Sequence, residues 1–334
     1  MPLHVYKFGG TSVGTIERIN AVADRIHNSY ERGDKIIVVV SAMSGETNRL
    51  QALGNEISQR PSSREIDVLL ASGEQVSISL LALALIERGL QARSYLGWQV
   101  KVVTDENHSK ARIESIDVEA LQDCLNTGLI PVVAGFQGVT KGGEITTIGR
   151  GGSDASAVAV AAALQADECR IYTDVDGVYT ADPRIVEDAT RMDHVSFEEM
   201  LELASLGSKV LHPRAVEFAA NYSVTLRVLS SFEEGPGTLI TMEDGKMEQP
   251  VVSGIAHTVD EAKLTLLGVP DVPGVASRIL GPIGRASIEV DMIVQNVGAD
   301  GSTDFTFTVR RSDYERANEI LTTLMDELGA REVA

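Results

Sequence analysis

Cysteine is nearly absent: Cys124 and Cys169 are the only two among 334 residues, too few for a disulfide framework or a thiolate metal site. Basic charge is scarce as well. Lys and Arg number 29 against 48 Asp and Glu, a net charge of −19, so the electrostatic footprint of a nucleic-acid or anionic-membrane binder is missing. Small molecules and other subunits are the expected partners, with no nucleic acid and no membrane. The apolar stretches read as short or broken by polar residues, below the roughly 20 residues of a membrane span. The amino-terminal MPLHVYKFGG lacks a charged and then apolar signal segment. A cytoplasmic protein is expected. The six histidines contain no H-x-x-x-H or H-E-x-x-H pairing, which argues against a zinc enzyme.

What is present is enough chain for two or three domains, 43% hydrophobic. Up to residue 242, short β-branched runs alternate with longer Ala/Leu/Glu-rich segments, the rhythm of a parallel sheet flanked by helices. Strands are expected at 3–8, 35–41, 92–96, 100–104, 130–136, 169–174 and 225–230, and helices at 15–28, 66–87, 118–124, 153–164, 197–205 and 213–222. Residues 231–250 are rich in Gly, Pro and charge, so the division falls near 245, giving domains 1–245 and 251–334. Beyond it come strand, helix, strand, a Gly298–Gly301 hairpin, strand and helix, then a short last strand at 331–334. That is a ferredoxin-like βαββαβ unit.

Four segments carry chemistry. Lys7-Phe8-Gly9-Gly10-Thr11-Ser12 closes the first strand. Its glycines let backbone N–H groups approach an anion, its hydroxyls add donors and Lys7 adds fixed charge, the makings of a phosphate site. A plain Gly-Gly turn explains the same residues. The spacing is neither that of a P-loop nor the dinucleotide G-x-G-x-x-G. Ser41-Ala42-Met43-Ser44-Gly45-Glu46-Thr47-Asn48 follows an apolar strand, where such loops line ligand crevices; a helix cap is the alternative. In Gly149-Arg150-Gly151-Gly152-Ser153-Asp154, Ser153 or Asp154 suits capping. The Arg150 guanidinium suits a carboxylate, and Asp154 suits orienting Lys7 or a metal-bound phosphate. The stretch from Tyr172 to Arg184 has a D-x-D-G like a calcium loop, but Ile185 stands where the glutamate belongs, so calcium is rejected. Tyr179 and Arg184 read as walls of a nucleotide pocket, or as part of a solvated turn.

Together K-F-G-G-T-S, V-V-S-A-M-S-G-E-T-N, G-R-G-G-S-D, Y-T-D-V-D-G-V-Y-T-A-D-P-R and S-L-G-S-K-V-L-H-P-R, in that order, resemble the aspartate kinase family over essentially the whole chain. The resemblance implies an α/β fold: a three-layer α/β/α amino acid kinase domain followed by a ferredoxin-like ACT regulatory domain. The implied reaction moves the γ-phosphoryl of MgATP to the β-carboxylate of L-aspartate, the first step toward lysine, threonine and methionine. ATP and Mg2+ are the implied cofactors, the metal riding on the ATP phosphates with no direct protein ligand. Lys7 and Asp154 would be catalytic, with Lys7, Phe8, Gly9 and Gly10 at the phosphates. Ser41, Thr47, Glu74, Arg150 and Ser153 would bind aspartate, Arg150 gripping its α-carboxylate and Glu74 its ammonium. Thr173, Asp174, Tyr179, Arg184 and Lys209 would surround the nucleotide.

In the tail, Asp271, Pro273, Gly274, Val275 and Ala276 match the ACT effector loop, and Gln295 and Asn296 the strand pair beside it. Lysine or threonine is the implied effector; a turn before a helix and a strand end are the plainer account. The family generally carries two ACT units, and the sequence to Ala334 has one. Either the chain is a truncated or naturally short form, or another chain completes the effector site. Residues 251–257 would then be an unpartnered strand edge, which favours a homo-oligomer (dimer) or a companion chain. Two rival readings remain: a kinase of the same fold acting on glutamate or N-acetylglutamate, and a catalytically silent amino acid sensor.

Overall fold

The structure, a computed structural model, describes residues 1–334 except Lys209, 243–251, Ser287, Ala299 and Asp300. The expected role of Lys209, the tip of the Gly298–Gly301 hairpin and the end of the 231–250 linker therefore lie outside the described residues. Two compact units are present, Met1–Ala256 and His257–Ala334. Residues 252–256 belong with the first, where the Ile255 N–H donates to the Thr180 carbonyl at 2.8 Å. The strand expected at 251–257 is not formed by residues 252–257.

In chain order the first unit contains β1 (Leu3–Phe8), α1 (Ile16–Glu31), β2 (Lys35–Val40), α2 (Glu46–Ile57), α3 (Ser63–Glu87), β3 (Ala92–Tyr95), β4 (Val102–Thr104) and β5 (Ile113–Ile116). Next come α4 (Glu119–Asn126), β6 (Ile130–Ala134), β7 (Gln137–Thr140), β8 (Ile145–Thr147), α5 (Gly152–Leu164) and β9 (Glu168–Thr173). It closes with β10 (His194–Ser196), α6 (Phe197–Ser205), α7 (Pro213–Asn221), β11 (Leu226–Ser230) and β12 (Thr238–Thr241). Eight strands form one sheet in the order β10-β12-β11-β9-β1-β2-β6-β3, and those from β11 to β3 run parallel. A smaller sheet, β5-β4-β7-β8, lies in the same unit.

Period-2 alternation divides the core into two layers. Val5, Ile37, Val39 and Val133 pack with the Ala- and Val-rich α5 and with α6 and α7. Tyr6, Phe8, Val38 and Val40 pack on the other face with Ile19, Val22 and Ile26 of α1 and Ile78, Leu81 and Leu85 of α3. Lys7, between Tyr6 and Phe8, thus shares the face of α5. Contrary to the reading of short apolar stretches, α3 is long and apolar enough by length and composition to cross a membrane, with a mean hydropathy of 1.8. Half of that window is buried inside the protein, and its inner face holds the ionisable Asp67 and Glu74.

The second unit is β13 (Glu261–Pro270), α8 (Val275–Arg285), β14 (Val290–Val297), β15 (Ser302–Arg310), α9 (Tyr314–Leu328) and β16 (Glu332–Val333). Its antiparallel sheet runs β14-β15-β13-β16, the ferredoxin-like order. Leu264, Leu266, Phe305, Phe307 and Val309 meet Ile279 of α8 and Leu321 of α9 in its core. β14 is an edge strand, and Met292, Ile293, Val294 and Val297 stand exposed along it.

Candidate active site

The parallel strands end on one edge of the large sheet, and the loops leaving them are stitched together by backbone hydrogen bonds. Ser41 N–H donates to Phe8 C=O at 3.1 Å, Ser44 N–H to Gly10 C=O at 3.1 Å, Gly135 N–H to Val40 C=O at 3.0 Å and Ser231 N–H to Thr173 C=O at 2.8 Å. The Gly9-Gly10 turn, the Ser41–Asn48 segment and the start of the Asp174 turn are therefore neighbours by construction. Gly10 is required by this closeness: a Cβ there would lie 2.8 Å from the Ala42 carbonyl oxygen.

Lys7 leaves β1 toward the start of α5, where its ammonium comes within 2.7 Å of Asp154 Oδ1, with both side chains almost enclosed. The pair joins opposite charges at hydrogen-bonding distance in a nearly water-free setting. Asp154 stands in the first turn of α5, behind Gly151 as N-cap in a left-handed conformation, where unsatisfied backbone N–H groups favour negative charge. Ser156, one turn on, accepts from Phe136 N–H at 3.2 Å and so pins this turn beside the end of β6. Ser153 is half-buried in the same turn, whereas Arg150 is exposed and makes no hydrogen bond or ion pair among the described residues.

Glu74 approaches from α3. It is 2% exposed, its Oε1 accepts from Ala42 N–H at 3.0 Å, and its Oε2 has no hydrogen-bond partner among the described residues. Burial pushes its carboxyl up to about 7, opposed by the Ala42 hydrogen bond. Ser77, one turn further, donates to the Ser41 carbonyl at 2.8 Å, so α3 holds the Ser41–Asn48 segment from beneath. The glycine beside Glu74 now has a reason: a Cβ on Gly73 would meet Ala42 Cβ at 3.0 Å. Ser41 is half-buried at the end of β2, and Thr47, also half-buried, starts α2, a helix that the sequence reading treated as loop.

The residues expected around the nucleotide are less gathered. Thr173 ends β9 at the same edge, and its hydroxyl donates to Asp174 at 3.1 Å. The Tyr179 hydroxyl donates to Asp176 at 2.9 Å, and Arg184, 80% exposed at its side chain, pairs with Asp182 at 2.9 Å. In the second unit, Asp271, Pro273 and Gly274 are exposed, Ala276 is half-buried and Val275 is buried at the start of α8. Exposed Gln295 reaches Asp271 at 3.4 Å, and Asn296 is exposed beside it.

The sequence reading missed a further network. Asp67, 0% exposed, accepts from Thr147 Oγ1 at 2.6 Å, from Ser109 N–H at 2.9 Å and lies 2.9 Å from His108 Nδ1. Its available signal was the seven-residue spacing to Glu74, two helical turns along one face of an otherwise apolar helix.

Comparison with known proteins follows this geometry. Residues 2–230 match the amino acid kinase family and residues 263–328 match the ACT domain. The chain is 63% identical over 333 residues to an aspartate kinase of Stutzerimonas stutzeri, covering 99% of this chain and 81% of that protein. It is similar to the structure of Escherichia coli aspartokinase III in complex with aspartate and ADP, TM-score 0.78 at 29% identity, over 99% of this chain and 85% of that one. The same enzyme in complex with lysine and aspartate gives the same TM-score, 0.78, with 29% identity and the same coverage, 99% and 85%.

Proposed function

The chain belongs to the amino acid kinase family and, within it, to the aspartate kinases, and on that premise we propose how its residues transfer the γ-phosphoryl of ATP to the β-carboxylate of L-aspartate, giving 4-phospho-L-aspartate. A carboxylate is already a nucleophile, so no general base is needed. The barrier lies in bringing two anions together and in holding a loose phosphoryl group in flight.

Lys7 neutralises the charge that grows on that group. Asp154 aims the ammonium through this 2.7 Å pair, and the other protons of the three-donor ammonium face the phosphate oxygens. The close Gly9-Gly10 turn and the start of α5 receive the phosphates. Glu74 offers its unpartnered Oε2 to the ammonium of aspartate, and Arg150 takes the α-carboxylate with two parallel donors. Ser41, Thr47 and Ser153 supply the remaining polar contacts. Thr173, Asp174, Tyr179 and Arg184 surround the nucleotide.

Magnesium would ride on the nucleotide phosphates, and Asp154, an acidic side chain in the first turn of α5, is the group that would orient the metal-bound phosphates; when bound, the metal would supply charge neutralisation. The substrates are those of the cytoplasm.

Regulation is assigned to the second unit. Lysine or threonine is the effector, held by Asp271–Ala276 with Gln295 and Asn296. The exposed β14 edge supports pairing with a second copy of the chain or a companion, the edge role first expected of 251–257.

The observation that carries the catalytic reading is the Lys7–Asp154 contact of 2.7 Å beside the glycine turn. Incubation with MgATP, L-aspartate and hydroxylamine tests it. Aspartyl hydroxamate is expected with aspartate and not with glutamate; no hydroxamate with any acid would point to a silent sensor.

A further inference from the structure

The loop that carries Arg150 is clamped from below, while its guanidinium has no bond among the described residues. Asp67 divides its two oxygens among three residues. Oδ1 accepts from Thr147 Oγ1 at 2.6 Å and from Ser109 N–H at 3.1 Å and Oγ at 3.3 Å; Oδ2 accepts from Ser109 N–H at 2.9 Å and lies 2.9 Å from His108 Nδ1. The backbone completes the clamp. Ala111 N–H donates to the Thr147 carbonyl at 3.0 Å and Ile148 N–H to the Phe136 carbonyl at 2.9 Å, and Arg214 bridges the Ile148 and Ala111 carbonyls at 2.8 Å each. Three residues past Thr147 stands Arg150.

A fully buried carboxylate is expensive to desolvate and is kept only where several donors satisfy it. Here its partners come from 41, 42 and 80 residues away in sequence: Thr147 ends β8, and His108 and Ser109 belong to the β4–β5 loop that Ala111 ties to the Thr147 carbonyl. The anchor itself is rigid, since Asp67 shares the buried face of α3 with Glu74 two turns on. One helix thus sets both the group proposed for the ammonium and the loop proposed for the α-carboxylate.

Resting on the assignment of Arg150 to the substrate carboxylate, we propose that Asp67 is a positioning residue for specificity: through Ser109 and Thr147 it holds the Arg150 loop at the spacing from Glu74 that an α-amino acid demands. Asn in its place keeps the shape but offers one acceptor oxygen and turns an NH2 group toward donors, so the loop loses its seat.

Steady-state hydroxamate kinetics on the full chain test this with Asp67→Asn and with the milder Thr147→Val, whose folding is followed by thermal melting. Both variants should raise the KM for aspartate, by about tenfold or more for Asp67→Asn and several-fold for Thr147→Val, while the KM for ATP and kcat stay within about threefold. In an Arg150→Ala background the same substitutions should change the aspartate KM by less than about twofold, because the interaction they act through is gone. An unchanged aspartate KM in folded Thr147→Val, a parallel rise in both KM values, or an undiminished effect without Arg150 would each overturn the proposal. A parent enzyme that makes no hydroxamate from aspartate would instead remove the functional reading itself, before any variant is compared.

Discussion

The two units place polar residues in opposite ways. In the first, Lys7, Asp154, Glu74 and Asp67 are buried or nearly so, and each is met by a group far away in sequence. In the second, Asp271, Gln295 and Asn296 are exposed, and the first two are joined by a contact of only 3.4 Å. Transition-state charge must be met by groups that do not reorganise, so a catalytic edge is built rigid within one chain. An effector signal has to move something, and the moving part is drawn from loosely held, solvated structure. The exposed apolar stripe of β14 belongs to the same contrast, since it lies on an unpaired sheet edge.

The hardest blow to this contrast is Lys7→Ala. Removing the ammonium should lower kcat by about a hundredfold or more while aspartate still binds; turnover within a few-fold of the parent at saturating ATP would show that the edge is not organised around this charge. Gly10→Ala comes next. Its Cβ would enter the 2.8 Å gap to the Ala42 carbonyl oxygen, so kcat/KM for ATP should fall by roughly tenfold as the turn shifts, and an unaltered value would mean that the turn has slack.

Glu74 sharpens the comparison through pH. With its carboxyl held up to about 7 in the empty site, the charged form that grips an ammonium prevails only above that pH. The KM for aspartate should therefore rise by about tenfold from pH 8 to pH 6. Glu74→Gln should make it high and flat. The linked effect on stability has a definite sign: a carboxyl raised from 4.5 to about 7 favours the fold below the lower value and loses that advantage as pH climbs through the upper one, by about 3 kcal/mol. Melting curves should accordingly show Glu74→Gln gaining on the parent at pH 8 and not at pH 4.5.

The smallest effect on chemistry belongs to the second unit. Ile293→Lys places a charge on the exposed edge of β14; under the proposed pairing through that edge it should shift sedimentation toward the single chain and blunt any response to lysine or threonine, while changing uninhibited turnover by less than about threefold. Unchanged sedimentation would overturn the proposed pairing through β14.

Much of this was legible in the chain itself. Runs such as Lys35–Val40 and Ile130–Ala134 announce central parallel strands because both faces are apolar, and Lys7 and Asp154, each singled out beside a glycine pair, are brought within 2.7 Å of one another. What stayed hidden depends on distant partners. β10 and β12 have three and four residues, too few for a period to register. α2 begins in a hydroxyl-rich loop and carries an internal glycine, so it read as coil. Asp67 drew no notice, since nothing local tells that Ser109 and Thr147 fold back onto it.

Lys7 lies on β1, which is hydrogen-bonded along its length to β2 on one side and to β9 on the other. No fraying of a terminus or opening of a surface loop can displace that ammonium without tearing the middle of the sheet. Its amide should exchange with solvent deuterium only on the slowest timescale of the unit, and heat should extinguish turnover at the temperature where the unit melts rather than before it.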